Sequence, residues 1–338
     1  MSNETRAVTW RHGIGSAIRK PPLAVTPPAH PHGRHEAVFH ATDGDLLDVL
    51  APFVRGGSDA GEPTLVALGE RRAALVRSAL PAGTAVEFLP ADTLDASPAT
   101  VIRVFREIFA RHVAAGARQI RLAGELPPLA FGATWHSWAR YEAAVNHAYD
   151  EFPLWSLCAY DLRSTPDPVL RDVLRTHPGI AGPSGAHVPN ERYTDPATFL
   201  SEQRVMAPDP VQESRPCAVL TDPSPGEARR AVRDADPGAV PADQVDDLVV
   251  AVSEAVTNAM RHGRAPVRVT VWAGGDRIVV AVTDAGPGPQ DPYAGLLPSS
   301  RDATSGRGLW ITHQAVSHVA SQRSRDGFTI RLTAGNPY

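Results

Sequence analysis

Lysine is all but missing from this chain. Among 338 residues there is one, Lys20, and arginine supplies the rest of the 33 basic side chains. Against 37 acidic residues the formal net charge is -4, with acids and bases interspersed. A nucleic-acid binder needs its cations gathered into a patch or stripe, so that class is set aside. Cysteine is nearly absent as well. Cys158 and Cys217 lie far apart in no metal-ligand spacing, and read as two reduced thiols that pack as small apolar groups, not as a disulfide. Missing too is any apolar run approaching the roughly 20 residues that cross a bilayer. The first residues are polar and carry no signal-peptide pattern. The expected location is the cytoplasm, without membrane contact.

What is present is enough apolar residue, 43%, to bury at least one full core, at a length that favours two domains. Residues 1–34 include the proline-rich KPPLAVTPPAHPHG, expected to be a disordered tail. From His35 to 203, short apolar strands (EAVFHA, TLVALG, AVEFLP, QIRLAG, LWSLCAYD) alternate with helical patterns such as ATVIRVFREIFARHVAAG. That order predicts an α/β domain with a largely parallel sheet. Residues 204–215 collect Pro, Asp, Glu and Ser and read as a linker. From 216 to 338 the order is strand, two helices, two strands, loop, helix, strand. It predicts an α+β sandwich with helices on one face of a mixed sheet. No solenoid-type repeat is present.

Chemistry concentrates near residue 254. In VSEAVTNAMRHG, Val252 to Gly263, the residues Glu254, Asn258 and His262 recur every four positions beside the apolar stripe of Leu248, Val252, Ala255, Val256 and Ala259. Alone, such a stripe reads as a solvated face. Two later motifs change its weight. VTDAGPGP places Asp284 at a strand end, followed by Gly286 and Gly288, a pattern that by itself is a turn. SGRGLWI places Gly306 and Gly308 just before a helix, where bare N–H groups and the helix dipole suit phosphate.

In the order E-x-x-x-N, D-x-G-x-G, G-x-G-L, these three segments resemble the nucleotide-binding boxes of the Bergerat (GHKL) ATP-binding domain. Within it SEAVTNAMRHG looks like the RsbW-like anti-sigma-factor serine kinases. The resemblance implies ATP and Mg2+ as cofactors, with Asn258 as the metal ligand and Glu254 as the general base. Asp284 would accept the adenine amino group, with Gly286 and Gly288 letting the backbone close in. Gly306, Arg307 and Gly308 would cover the phosphates, with Arg307 stabilising transferring charge, beside Leu309 and His262. PQDPYAGLLPSSRDATS would be the lid. Thr329 matches a pocket-lining threonine of the relatives, whereas Phe328 stands where they often carry a further threonine, which puts nucleotide affinity in question.

The first domain has no G-x-x-x-x-G-K-[ST] after the strand TLVAL, so no phosphate cradle is expected there. RHEAVFH, PFVRGGSDAGEPTLVAL, RLAGELPP, WARYEAAVNHAYD, LWSLCAYD and RTHPGI resemble the MEDS sensory domain, a relative of the RecA/KaiC-like fold without a working P-loop. Its polar and aromatic members are His35, Glu36, Glu125, Trp138, Tyr141, Glu142, Asn146, Tyr160, Asp161 and His177. Singly each reads as a satisfied core or capping residue. Together they are candidates to line a sensory pocket near the strand C-termini. Joined, the two halves resemble regulators of the RsbA type.

That resemblance implies a stress-response regulator that holds a sigma factor, phosphorylates Ser or Thr of a STAS-type antagonist, pairs as a dimer through its ATP domain, and answers a small-molecule or protein signal at its first domain. Two other readings stay open: an ATP-dependent binding module without transfer, and an atypical sensor histidine kinase. The second lacks a helical hairpin with a phosphoacceptor histidine between 203 and 240. Gyrase-like machines need a transducer domain for which no room is expected after residue 338.

Overall fold

Helices and strands in the computed structural model are described for residues 34–94, 96–298 and 307–337. The proline-rich tail lies outside these residues, as do Gly306 and part of the expected lid. The chain divides into two compact units. One comprises residues up to 95 with 104–131 and 145–199, and the other comprises 96–103, 132–144 and 200–338.

The first unit is built on a seven-stranded sheet. Its strands are β1 (Arg34–His40), β2 (Thr64–Ala67), β3 (Glu87–Phe88), β4 (Ile120–Gly124), β5 (Leu154–Asp161), β6 (Gly179–Gly182) and β7 (Ala186–Pro189), in the spatial order β3-β2-β4-β5-β1-β6-β7. All neighbours pair in parallel except β6 and β7. The helices of this part of the chain are α1 (Asp43–Asp59), α2 (Glu70–Ala79), α3 (Pro98–Ala114), α4 (Trp135–Ala148), α5 (Asp167–Thr176) and α6 (Pro196–Ser201). Thr42 starts α1 through a capping box with Asp45, each side chain taking the other's backbone N–H,. Val38 of β1, Val66 of β2 and Leu157 of β5 meet Leu46, Leu50 and Val54 of α1 in one core. Central strands covered on both faces carry continuous apolar runs, which is why AVF and TLVA were legible as strands.

The second unit holds β8 (Ala218–Thr221), α7 (Pro225–Asp234), α8 (Ala242–His262), β9 (Arg268–Gly274), β10 (Arg277–Asp284), α9 (Arg307–Ala315), β11 (His318–Ser324) and β12 (Gly327–Gly335). The sheet runs β11-β12-β10-β9-β8. Alternate residues Val269, Val271, Ile278, Val280, Val282, Ile330, Leu332 and Ala334 pack against Leu248, Val252, Val256 and Ala259 of α8. The expected mixed sheet is corrected: every neighbouring pair is antiparallel. Two helices between β8 and β9 return the chain reversed. The connection from β10 to β11, which includes α9, leaves those two strands codirectional, but β12 inserts between them. Helix α9 ends at Ala315, and His318–Ser324 forms a further strand that the expected order of elements lacks. Its HVASQRS pattern is too polar to announce itself.

The segment expected as a linker is tied to this sheet. Arg331 donates through Nη1 to the carbonyl of Ala207 and to Gln212 Oε1. Asp209 caps a 3-10 turn at Pro210–Glu213. On β11, buried His318 donates from Nε2 to Ser137 Oγ at 2.9 Å, while that hydroxyl donates to the carbonyl of Val319. Burial pushes His318 down to about 3, aided by the charge of Arg331. An unfolded histidine titrates near 6.5, so the unfolded chain takes up a proton first as pH falls. Stability is therefore full above about pH 6.5 and declines toward pH 3, at about 1.4 kcal/mol per pH unit for this group. In denaturant titrations at pH 7.5 and pH 5, the His318→Gln protein is expected to show the smaller acid loss, by about 2 kcal/mol. Equal losses in both proteins would contradict this.

Candidate functional site

The 21 residues of α8 bury one stripe, from Val245 to Ala259. Glu254 and Asn258, one turn apart, share the neighbouring face. Both are half-buried, and neither side chain has a hydrogen-bond partner among the described residues. The first turn of α9 comes directly onto them. A Cβ placed on Gly308 would lie 2.6 Å from Glu254 Oε2 and 3.3 Å from Asn258 Nδ2. The backbone of this turn therefore lies close against both side-chain tips, and the helix N-terminus brings its partial positive charge to the carboxylate and the amide. Thr312 steadies this turn by donating to the carbonyl of Gly308 at 2.9 Å.

Asp284, buried at the end of β10, is held by two backbone donors. Gly286 N–H reaches its Oδ1 at 2.6 Å, and Arg264 N–H reaches the same oxygen at 3.2 Å. Oδ2 takes no hydrogen bond among the described residues and is left to accept from a ligand. Gly263 and Gly286 must both lack side chains, since a Cβ on either would lie 2.4 Å or 2.7 Å from Oδ1. The His-Gly that ends α8 and the first glycine after Asp284 thus serve one carboxylate.

The neighbouring strand departs from expectation. Asp284 is paired with Phe328, and Thr283 with Thr329. Strand side chains alternate between faces. Phe328 joins Ile330 and Leu332 on the helix side, while Thr329 Oγ1 meets Thr283 Oγ1 at 2.9 Å on the opposite face. Thr329 is therefore turned away from Asp284, and Phe328 takes the place beside it. A Cβ on Gly288, whose φ is +72°, would lie 2.5 Å from the Phe328 ring, so the ring packs on the loop after Asp284. Replacing it by threonine frees space and supplies a hydroxyl on the Asp284 side. Phe328→Thr is expected to bind ATP about 3 to 10 times more tightly in calorimetry, the scale of one added hydrogen bond. Weaker binding would mean that the ring itself holds the base.

Leu309 packs against the core under α9. His262 is exposed at the C-terminal end of α8. Arg307 opens α9, and Gly306 lies outside the described residues. Of the expected lid, residues 289–298 are described. There Asp291 accepts from Tyr293 N–H, and Gly295 presses on His313 with φ +86°, a Cβ there falling 2.4 Å from the ring.

The first unit shows why no phosphate cradle forms. Gly69 precedes α2, and its N–H donates to Glu125 Oε1 at 2.8 Å. Glu125 Oε2 receives Arg72 Nη1 at 2.6 Å, and Arg72 Nη2 reaches Asp161 at 2.8 Å. A carboxylate of the chain itself occupies the helix N-terminus where a P-loop would receive phosphate. Burial raises the Glu125 pKa, against the opposing charge of Arg72. Asp161 is held well below the usual carboxylate range by the Arg163 guanidinium.

The sensory candidates of the first unit divide between the strand C-termini and the start of β1. Glu125 and Asp161 are there, at the ends of β4 and β5. His35 sits at the start of β1, hydrogen-bonded to Asn146, with the His177 ring 4.0 Å away and Tyr160 against His177 at 5.6 Å. Glu36 accepts from Trp155 and pairs with His187. Trp138 and Tyr141 of α4 meet edge to face at 5.3 Å, and Glu142 is buried on the same helix. Arg72 and Cys158 were missed by sequence reasoning, because no spacing links them to their partners.

The first unit is thus a largely parallel α/β sheet, and the second an antiparallel sheet backed by helices that carry a Glu-Asn pair and a buried aspartate. Residues 34–178 match the family model MEDS: MEthanogen/methylotroph, DcmR Sensory domain. Residues 223–334 match the histidine kinase-like ATPase domain. The chain carries a MEDS domain and a GHKL ATPase domain. Among solved structures it is similar to the histidine kinase domain of the E. coli osmosensor EnvZ, at 22% identity and TM-score 0.23 over 37% of this chain and 92% of that one. It is also similar to the Acinetobacter baumannii histidine kinase AdeS, at 19% identity and TM-score 0.20 over 37% and 71%. No curated protein matches. No helix among the described residues is long and apolar enough to cross a membrane.

Proposed function

We propose that this chain is an anti-sigma factor that binds ATP, sequesters a sigma factor and phosphorylates a Ser or Thr of a STAS-type antagonist under control of its MEDS domain. The two domains are proposed to be joined by residues 204–215, and the first to be a RecA/KaiC-like fold without a working P-loop. The carrying observation is the approach of the Gly308 backbone to the side-chain tips of Glu254 and Asn258. These residues fit a magnesium nucleotide. Asn258 offers a hard amide oxygen, and the α9 N-terminus offers N–H groups and positive dipole to phosphate. Bound Mg2+ would neutralise charge on the phosphates.

The protein's own part follows from the geometry. Asp284 Oδ2 orients the adenine by accepting its amino proton, while Oδ1 stays fixed by Gly286 and Arg264. Glu254 takes the proton of the attacking hydroxyl at Oε2, the oxygen nearest Gly308. Arg307, first in α9, is proposed to stabilise charge on the transferring group. The complex is proposed to be cytoplasmic and dimeric through the ATPase domain.

The test is incubation of the full chain with Mg-ATP, candidate antagonists and candidate sigma factors. Acid-stable phosphoserine or phosphothreonine on an antagonist, with ATP-dependent sigma retention, is expected. Acid-labile phosphate on this chain, or neither activity, would overturn the reading.

A further inference from the structure

A cluster in the first unit is left unexplained by the nucleotide chemistry. His35 on β1, Cys158 on β5 and His177, which follows α5, each offer a donor atom, and these atoms lie within 4.8 Å of one another. His35 and His177 are buried, and Cys158 is half-buried. The surrounding hydrogen bonds decide which ring nitrogens carry the protons. Asn146 donates from Nδ2 to the carbonyl of Thr176 at 2.8 Å, so its Oδ1 must accept from His35 Nδ1, 3.1 Å away,. His35 therefore keeps its proton on Nδ1 and points the Nε2 lone pair at Cys158 Sγ, 3.3 Å away. His177 donates from Nδ1 to the carbonyl of Val173 at 2.9 Å, which leaves its lone pair on Nε2 as well. Two imidazoles thus keep their Nδ1 protons on backbone or amide oxygens, which puts the lone pair of each ring on Nε2. This is the outer-shell arrangement that orients metal-bound histidines.

We propose that His35, Cys158 and His177 form a site for a divalent ion of the zinc class. Two neutral imidazoles and a thiolate match that borderline-soft ion better than Mg2+ or Ca2+, which prefer oxygen. A tetrahedral ion at ordinary bond lengths separates its nitrogen and sulfur ligands by about 3.6 Å, close to the 3.3 Å between His35 Nε2 and Cys158 Sγ. Binding forms the metal–sulfur bond and releases the thiol proton to water, so affinity rises with pH. Three protein ligands leave a fourth position of the tetrahedron for water. Sequence spacing does not reveal this site, because its donors come from residues 35, 158 and 177 and meet only through the β1–β5 pairing and the turn after α5.

The experiment titrates cobalt(II), without nucleotide, into the chelator-treated full chain carrying Cys217→Ser, which removes the exposed thiol. One equivalent is expected to give the near-ultraviolet thiolate-to-cobalt absorption and the intense visible bands of a four-coordinate ion, both displaced by zinc. Cys158→Ser abolishes the thiolate absorption, and Asn146→Ala weakens binding about 10-fold or more through loss of His35 orientation. In the unaltered chain, zinc slows alkylation of Cys158 and a chelator restores it, a readout independent of any variant. Absence of the thiolate absorption, its survival in Cys158→Ser, or alkylation of Cys158 indifferent to zinc would overturn the proposal.

Discussion

In Glu254→Gln protein, phosphate transfer from ATP to the antagonist is expected to fall by about 10^2 to 10^4 while ATP affinity changes little. Glutamine keeps the length and the half-buried position of the side chain but cannot take the proton of the attacking hydroxyl. Gly308 lies close to Oε2, so an isosteric amide preserves the approach of α9. The measurement is paired: single-turnover transfer with labelled ATP, and calorimetry of nucleotide binding on the same preparation. Loss of both would place Glu254 in binding alone. Loss of neither would remove it from the reaction. Retained sigma binding in this variant would separate holding a partner from phosphorylating one.

The second large effect is expected at Asp284, where two substitutions part fold from recognition. Asp284→Ala removes the acceptor of Gly286 and Arg264 N–H, and each stranded donor costs about 1–3 kcal/mol. The thermal midpoint falls and ATP binding is lost. Asp284→Asn keeps Oδ1 for those two donors but puts an NH2 where Oδ2 would receive the adenine amino group. Its stability is expected to stay within about 1 kcal/mol of the parent while ATP affinity drops at least 10-fold, the cost of opposing two donors. If Asp284→Asn binds ATP as the parent does, Asp284 is a structural turn residue and the adenine lies elsewhere.

Those predictions rest on residues that were legible in advance, for a physical reason. Glu254 and Asn258 lie on one uninterrupted helix, and a spacing of four fixes their shared face wherever the helix goes. Asp284 and its glycines form a local turn whose demands are written within a few residues. Thr329 was misplaced because a strand's faces alternate at every residue: a family pattern read one position out of step lands on the far side of the sheet. The structure's pairing of Asp284 with Phe328 supplies the face. His318–Ser324 was missed as a strand because its outer residues are polar and its partner, β12, follows it in the chain.

By itself the sequence determined the helices and central strands, the Glu-Asn-Asp order of the nucleotide boxes and the want of a P-loop, since each depends on propensity and spacing within one element. The tertiary structure alone decided what depends on meetings between distant segments. It set the antiparallel sheet made by inserting β12 between β10 and β11, and it turned Phe328 rather than Thr329 toward Asp284. It placed the Glu125 carboxylate at the N-terminus of α2 and brought His35, Cys158 and His177 together. None of these contacts has a period in the chain, because strand pairing and helix packing join residues whose separation carries no local energetic signal.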